Sequence, residues 1–255
     1  GMGVVSPLGN GAAQAFAQAR AGHSGVHRLL ASFTDRLTAP LAATAPFDGA
    51  DHFEPPKLRM LDRVSQFALV AASQAVADAR ADFSQADRGR VGVFVGTGMG
   101  ASQTSDDGYK TLYGERSDRS KPFTVLMGMH NAPAAWIGFE HDLRGPALTY
   151  STACSSSAVA IGEAWLRVAH GALDLAIAGG AEAPLSFGSL KAWEALHTLA
   201  AMDPDDPSRS CKPFSANRSG MVLGEGAAML ALEPWDHAVA RGAPIHGEIL
   251  GCGLA

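Results

Sequence analysis

The chain has 255 residues, 47% of them hydrophobic and 18% charged, and a formal net charge of −5 at pH 7. This length supports one large domain or two small ones, and the recurring apolar segments exclude an intrinsically disordered chain. The acidic balance gives no general attraction to nucleic acid or to an anionic membrane, no apolar run is long enough to span a bilayer, and the three widely spaced cysteines favour a reducing cytoplasm over a disulfide framework.

The apolar pattern predicts helices and strands in alternation along the chain. Helical spacing occurs at residues 11–20, 62–80 (with Asp62 as its cap), 131–141, 155–170, 187–200 and 234–242. The opening residues have the pattern of a strand that runs into a turn, and short apolar runs predict strands at residues 91–95, 147–150, 173–178, 226–232 and 245–251. Polar or proline- and glycine-rich composition predicts irregular structure at residues 40–56, 101–121 and 203–213.

This alternation predicts an α/β layered fold around a largely buried sheet. The first residues lack the start of their strand, and the last predicted strand has nothing after it to cover it. We therefore expect the chain to be a segment of a longer protein.

Cys154 lies between a predicted strand and a predicted helix, in the string TYSTACSSS at residues 149–157. At a helix N-terminus, unpaired backbone N–H groups and the helix dipole favour a thiolate over a thiol. A nucleophilic cysteine in a narrow pocket is therefore one interpretation. A buried structural cysteine is the other, because cysteine packs as a small hydrophobe. Cys211, in a polar loop, and Cys252, in a predicted strand, are interpreted as structural.

Residues 96–101 read GTGMGA, which fits the glycine pattern of dinucleotide-binding loops, and Glu115 stands near the spacing of a ribose ligand. That pattern requires a helix immediately after the glycines, whereas the next residues lack apolar periodicity. The favoured interpretation is a glycine-rich turn at which backbone segments approach closely. A dinucleotide-binding oxidoreductase domain remains an alternative.

The nine histidines form no cluster with metal-ligand spacing. His130, beside Asn131, is the most interesting of them, and its ordinary interpretation is a structural group at the start of a helix. Lys57, Arg59 and Arg63 form a local basic cluster, which in most proteins is a solvated face.

Three strings occur in a characteristic order: TYSTACSSS at 149–157, GGAE at 179–182 and KPFSANRSGMVLGEGA at 212–227. Together with LGN at 8–10 and RGP at 144–146, they make the chain similar to the β-ketoacyl synthases. The closest similarity is to the elongating enzymes of dissociated fatty-acid and polyketide pathways, which use acyl carrier protein. The resemblance covers the whole chain.

The resemblance implies a thiolase-like layered αβαβα fold made of two similar halves. Residues 1–255 would be the N-terminal half, cut at the start of its first strand. Two catalytic histidines, one of them in a His-Gly-Thr type loop, and a lysine would all lie in the half that this chain lacks. None of the nine histidines stands in a matching context. We expect a truncated chain, and a histidine-free homologue is the alternative.

The reaction that the resemblance implies is acyl transfer from acyl carrier protein to Cys154, followed by decarboxylative condensation with malonyl-carrier protein. The implied partners are these acyl and malonyl thioesters and a second copy of the chain in a cytoplasmic homodimer. Residues 147–150 would lie near its twofold axis, with residues 121–131 packed across it. No metal, dissociable cofactor, nucleic acid or membrane is implied. The alternative is a non-condensing subunit of the chain-length-factor kind, although such subunits usually lack the nucleophile.

Two further roles follow from the resemblance. Met99 is expected to point into the acyl pocket and Trp193 to line its far end, with ordinary core packing as the alternative. Lys57, Arg59 and Arg63 are expected to form part of the docking face for an acidic carrier protein.

Overall fold

The computed structural model describes residues 1–83 and 87–254. Its strands are β1 (Met2–Ser6), β2 (Gly9–Asn10), β3 (His27–Arg28), β4 (Leu41–Ala42), β5 (Val91–Gly96), β6 (Ala147–Tyr150), β7 (Leu175–Glu182) and β8 (Gly226–Leu232). Its helices are α1 (Ala12–Arg20), α2 (Pro55–Leu58), α3 (Arg63–Asp78), α4 (Ser102–Tyr109), α5 (Thr124–Gly128), α6 (Ala132–Glu140), α7 (Ser156–Ala169), α8 (Phe187–Ala195) and α9 (Trp235–Ala240). Within the described ranges, six strands form one mixed sheet in the order β2–β1–β8–β7–β5–β6, and β3 pairs with β4.

Helices cover both faces of this sheet. In β5, Val91, Val93 and Val95 share one core with α3 and α6. Phe94 points to the opposite face and packs with residues of α7, because successive side chains of a strand alternate in direction. The result is three layers, helix on sheet on helix, with β5 buried on both sides as its continuous apolar run predicts.

Three parallel strands end side by side. In the hydrogen-bonded register, Gly96 of β5 lies opposite Tyr150 of β6 on one side and Gly180 of β7 on the other. The loops that follow these strands therefore meet at one edge of the sheet, which is where α/β proteins place their sites.

Most of the predicted elements are confirmed to within a residue or two: α1, α3, β5, α6, β6, α7, β8 and α9. The predicted cap of α3 is confirmed as well, since the Asp62 carboxylate accepts a hydrogen bond from the Val64 N–H at 3.0 Å. None of the helices in the ranges described is both long and apolar enough to cross a membrane.

Residues 101–121, predicted to be irregular, contain α4 and a π-type turn at Lys110–Gly114, so that prediction was wrong. The polar side chains of α4 are bonded to other elements instead of forming an apolar stripe. The Asp62 carboxylate accepts from the N–H of Thr104 at 2.9 Å and from its hydroxyl at 2.6 Å. Asp106 accepts from a backbone N–H in the first turn of α8 at 3.1 Å. Long-range hydrogen bonds stabilise this helix, and a search for apolar periodicity does not detect them.

Two predicted ends were also wrong. β7 continues past the glycines at 179–180, because its antiparallel ladder with β8 extends as far as the pair Glu182–Gly226. α8 ends at Ala195, earlier than predicted, and His197 then adopts a positive φ of 54°. The length of β7 is thus set by its pairing with β8.

Residues 245–251 form no strand in the part of the chain that the structure describes, so this prediction was wrong. They pass along a groove of about 500 Å³ between α7, β8 and α9. Nε2 of His246 lies 2.7 Å from the Asp78 carboxylate at the end of α3. The run is short and apolar at Ile245, Ile249 and Leu250, but a strand also needs a hydrogen-bonded partner along its edge.

Candidate active site

Cys154 lies in a tight turn between β6 and α7. Residues Ala153–Ser155 form a 3-10 turn, and α7 begins at Ser156. The Ser156 hydroxyl donates to the Ala153 carbonyl at 2.6 Å and accepts from the Thr152 N–H at 2.9 Å. Cys154 itself is exposed. The turn is thus held by its own hydroxyl groups and presents the cysteine to solvent at the start of a helix.

The residue before the cysteine has a strained backbone. Ala153 adopts a φ of 53°, in the left-handed region that residues with a side chain rarely occupy. Such a conformation costs on the order of 1–3 kcal/mol and persists where the surrounding structure imposes it. It lies directly before Cys154, where the chain passes from β6 into α7.

The sheet fixes the start of α7 by direct contact. A β-carbon at Gly96 would lie 2.2 Å from the carbonyl carbon of Ser156, and one at Gly180 would lie 2.6 Å from the β-carbon of Ser157. Only glycine allows the two backbones to approach so closely. The position of Cys154, two residues before Ser156, is therefore set by β5 and β7.

Tyr150, at the end of β6, borders this turn. Its ring stacks on Phe94 with the ring centroids 6.5 Å apart. Burial raises the pKa of the Tyr150 phenol above its ordinary value of 10.0, so the phenol is protonated at neutral pH.

A carboxylate of the same chain fills the glycine-rich loop at residues 97–100. The Gly98 N–H donates to Oε2 of Glu182 at 2.6 Å, and the Met99 N–H lies 3.1 Å from Oε1 and 3.2 Å from Oε2. In a dinucleotide-binding loop such amides face a phosphate. A helix does follow the glycines, as α4, which corrects the expectation that none would. The dinucleotide alternative is nevertheless disfavoured, because the N–H groups of Gly98 and Met99 that would bind a phosphate already bind the Glu182 carboxylate.

The two predicted pocket residues lie on different elements. Met99 is half-buried in the 97–100 loop, and Trp193 is half-buried on α8. A β-carbon at Gly98, the neighbour of Met99, would lie 3.8 Å from the carbonyl oxygen of Ala153. Gly98, the residue before Met99, therefore lies against the turn that holds Cys154. The acyl-pocket roles of Met99 and Trp193 stay predictions.

The three residues of the predicted docking face differ in their surroundings. Arg63 is bonded to both carboxylate oxygens of Glu225, at 2.6 and 2.8 Å. Lys57 forms an ion pair with Glu140. Arg59 is exposed, and its Nε donates to a carbonyl of its own helix at 3.2 Å. A role in docking stays a prediction for all three, and Arg59 has the most accessible charge.

Two glutamates to which the sequence analysis assigns no role hold neighbouring segments by hydrogen bonds. Glu182 holds the 97–100 loop, and Glu225, only 6% exposed, binds Arg63 and also accepts from the Ala45 N–H at 3.1 Å. Both lie beside small residues within the strings GGAE and GEG. That placement is the only sequence signal that points to them.

We expect iodoacetamide to alkylate Cys154 before Cys211 and Cys252 at neutral pH. All three cysteines are exposed, so accessibility alone does not rank them. Cys154 lies just before a 14-residue helix, whose first backbone N–H groups have no partner within the helix and can stabilise negative charge that develops on an attacking sulfur. The other two cysteines lie in irregular segments. Peptide mass mapping over a time course measures the order. Faster modification of Cys211 or Cys252 would contradict this prediction.

The chain is a three-layer α/β unit with an exposed cysteine in a strained turn at the ends of parallel strands. This is the arrangement that the resemblance to the N-terminal half of a thiolase-like fold implies. Comparison with known families gives the same result. Residues 1–238 match the family described as "Beta-ketoacyl synthase, N-terminal domain". The chain belongs to the β-ketoacyl synthase family.

Similar proteins span the whole chain. The 3-oxoacyl-[acyl-carrier-protein] synthase 2 of Staphylococcus aureus is 34% identical over 254 residues, which cover 99% of this chain and 62% of that protein. A β-ketoacyl synthase from Burkholderia phymatum STM815 superposes with a TM-score of 0.84 at 34% identity, covering 96% of this chain and 60% of its own. A type II polyketide ketosynthase, solved with its acyl carrier protein, gives 0.83 at 26% identity, covering 96% and 59%. The chain thus spans less than two thirds of each.

Proposed function

We propose that this chain supplies the nucleophile of a β-ketoacyl synthase. The Cys154 thiolate attacks the carbonyl carbon of an acyl thioester on acyl carrier protein. The bond to the carrier's sulfur breaks, the carrier thiol leaves with a proton, and the acyl group remains on Cys154. In the whole protein, malonyl-carrier protein then loses carbon dioxide, and the carbanion attacks this acyl group and frees the Cys154 thiolate. The product is a 3-oxoacyl group on the carrier.

The placement of Cys154 carries this proposal. It is exposed at the N-terminus of α7 and held against the ends of β5 and β7, which suits a nucleophile that must meet a large donor. Family membership supports the same chemistry, as do the names of the relatives, which are 3-oxoacyl-carrier-protein synthases. A non-condensing subunit of the chain-length-factor kind is less well supported, because it does not need the cysteine.

The direct test is acylation. The purified full-length protein is incubated with acyl-carrier protein, and intact mass spectrometry follows the addition of one acyl group. Peptide mapping then locates the adduct, which we expect on the peptide that contains Cys154. Absence of any adduct with chains from acetyl to palmitoyl would refute the proposal.

We propose further that Met99 and Trp193 line the acyl pocket. Met99 follows the buried end of β5, and Trp193 lies on α8, which Asp106 joins to α4. Each methylene of a bound chain is worth roughly 0.8 kcal/mol on burial, so a side chain that limits the pocket also limits the acyl length that binds well. In this proposal the two side chains set the preferred chain length.

We propose that Lys57, Arg59 and Arg63 contribute to docking of the carrier protein. Arg59 is the residue to test, because its charge is the most accessible of the three. We expect Arg59→Glu to lower kcat/KM for acyl-carrier protein roughly tenfold at low salt, because surface charges act mainly on the association rate. Acyl transfer from a small acyl-N-acetylcysteamine thioester should be unchanged. Arg20→Glu, on the surface of α1, is the matched control. Equal losses with both donors would contradict a docking role.

We propose that the partner across β6 is a second copy of the chain. β6 is an edge strand of the sheet, and its Leu148 is 37% exposed. Nearby in sequence, residues 121–131 expose several large apolar side chains: Phe123, Val125, Leu126 and Met129. An open strand edge, together with exposed apolar side chains elsewhere on the same chain, suits pairing with an identical copy.

Leu148→Asp should turn the full-length protein from a dimer into a monomer at micromolar concentration, because the new charge would be buried in the seam. Light scattering coupled to gel filtration measures the mass. Leu30→Asp, at a leucine that is 87% exposed, should leave the dimer intact. A wild-type protein that is already a monomer would refute the dimer.

The cytoplasm is the proposed location. The three cysteines are free thiols, as a reducing compartment would keep them. A nucleophilic Cys154 also requires a reduced sulfur, so the chemistry and the location are consistent.

A further inference from the structure

The carboxylate of Glu182 is surrounded by donors from one short loop. Besides the two backbone N–H groups of Gly98 and Met99, the Thr97 hydroxyl lies 3.4 Å from Oε1. The same hydroxyl accepts from the Gly100 N–H at 3.2 Å, which closes the loop on itself. Successive N–H groups that converge on one point form an anion-binding concavity. Here the anion is a side chain of β7, 84 residues further along the chain than Gly98.

This loop lies between the Cys154 turn and a second segment of the chain. On one side, Gly98 approaches the Ala153 backbone. On the other, Gly100 has a φ of 57°, and a β-carbon there would lie 2.9 Å from the ring of His130. A side chain at Gly98 would thus contact the Ala153 backbone, and one at Gly100 would collide with the ring of His130. Glu182 holds the middle of this loop.

A carboxylate suits these donors better than a neutral amide. The contacts to Glu182 reach both of its oxygens, and every one comes from a neutral N–H or O–H group. A glutamine would present an NH₂ group to some of these donors, so part of the set would lose its acceptor. Hydrogen bonds to an ionised acceptor are also stronger than those to a neutral one.

We propose that Glu182 is a positioning residue that sets acyl-chain preference by holding Met99 beside the Cys154 turn. The proposal rests on the proposed acylation of Cys154 and on the proposed place of Met99 in the acyl pocket. Glu182 does not touch the acyl group. It accepts a hydrogen bond from the Met99 N–H and so fixes the backbone of Met99. The position of the Met99 side chain in the pocket follows from that backbone. Loss of the carboxylate should therefore alter the discrimination between acyl chains more than the reactivity of the sulfur.

The test compares Glu182→Gln with the wild-type full-length protein. Rates of Cys154 acylation are measured with a series of acyl thioesters from butyryl to palmitoyl. We expect the ratio of rates between the best and the longest chain to change about tenfold, as the loss of one hydrogen bond to a charged group would produce. Alkylation of Cys154 by iodoacetamide, which is too small to contact the acyl pocket, should stay within about twofold of wild type.

A matched control lies just before β5, at the end opposite to the 97–100 loop. Asp87 accepts from the Gly89 N–H at 2.9 Å just before β5, so Asp87→Asn also replaces a carboxylate that binds a backbone amide. This variant should keep the wild-type profile of acyl chains. A change as large as that of Glu182→Gln would mean that the profile reports general loosening of β5.

Chemical rescue separates positioning from simple loss of structure. Glu182→Ala leaves the donors of Thr97, Gly98 and Met99 facing a space of about the size of acetate. Added sodium acetate should restore the wild-type chain profile in this variant, whereas sodium chloride at equal ionic strength should not. Should Glu182→Ala fail to fold, Glu182→Gln decides the question alone.

The outcomes are distinct. An unchanged chain profile in Glu182→Gln, or unfolding of that variant, would overturn the positioning role while leaving Cys154 acylation intact. A wild-type protein that accepts no acyl chain would instead refute the proposed function.

Discussion

Replacing Cys154 with alanine is expected to abolish acylation of the protein. The substitution removes the thiol that lies just before α7, and without it no acyl-enzyme can form on Cys154. Loss of a covalent nucleophile lowers catalytic rates by about four orders of magnitude or more. The measurements are intact mass after incubation with acyl-carrier protein, and formation of 3-oxoacyl-carrier protein.

Cys211→Ala and Cys252→Ala are the matched controls, since both side chains are exposed thiols outside the site. They should acylate at the wild-type rate. Cys154→Ser should retain at most a trace, because a serine hydroxyl is not ionised at neutral pH and needs a base to activate it. An acyl adduct on the Cys154→Ala protein, located on another residue, would contradict the assignment.

The second large effect is on stability and concerns Arg63. Its guanidinium binds Glu225 through two hydrogen bonds and lies 4.6 Å from the centre of the Phe67 ring. The Glu225 side chain is only 3% exposed, so Arg63→Ala would leave a buried carboxylate without its counter-charge. We expect the free energy of unfolding to fall by about 3–5 kcal/mol, the usual effect of breaking a buried pair by removing one partner. Denaturant titration of the full-length protein measures it.

Arg90 provides a control of the same geometry on the surface. It binds Asp174 through two hydrogen bonds of 2.7 and 2.8 Å, but the two side chains are 41% and 51% exposed. Water screens such a pair, so Arg90→Ala should lower stability far less. Equal losses for the two variants would show that the burial of Glu225 does not determine the effect. Arg63→Met combined with Glu225→Gln should recover part of the loss, because no uncompensated charge remains.

The sequence predicts those parts of the fold that depend on local pattern. The apolar run at 91–95 and the helical spacing at 155–170 correspond to β5 and α7, and the motif around Cys154 places that residue at the turn between a strand and a helix. These predictions succeed because a fully buried strand and a core-facing helix each impose a period on the residues that form them.

Long-range contacts account for the rest. Glu182 and Arg63 bind partners 84 and 162 residues away in the chain, and no local pattern encodes such pairs. α4 was missed because distant residues stabilise it: Asp62 accepts hydrogen bonds from Thr104, and Asp106 of α4 accepts one from the first turn of α8. Residues 245–251 have a strand pattern but no strand partner in the described part of the chain. Pattern alone therefore places Cys154 in the turn between a strand and a helix, and it does not identify the residues that hold the neighbouring loops.

The seating of α7 on Gly96 and Gly180 also limits how this protein can evolve. Any side chain at either position would push the helix, and with it the cysteine two residues before it, away from the strand ends. Substitutions in the loops could change specificity and leave this contact intact. Substitution of either glycine by alanine would add a methyl group and break the contact. We therefore expect both glycines to be invariant among active homologues, while other residues around the site vary.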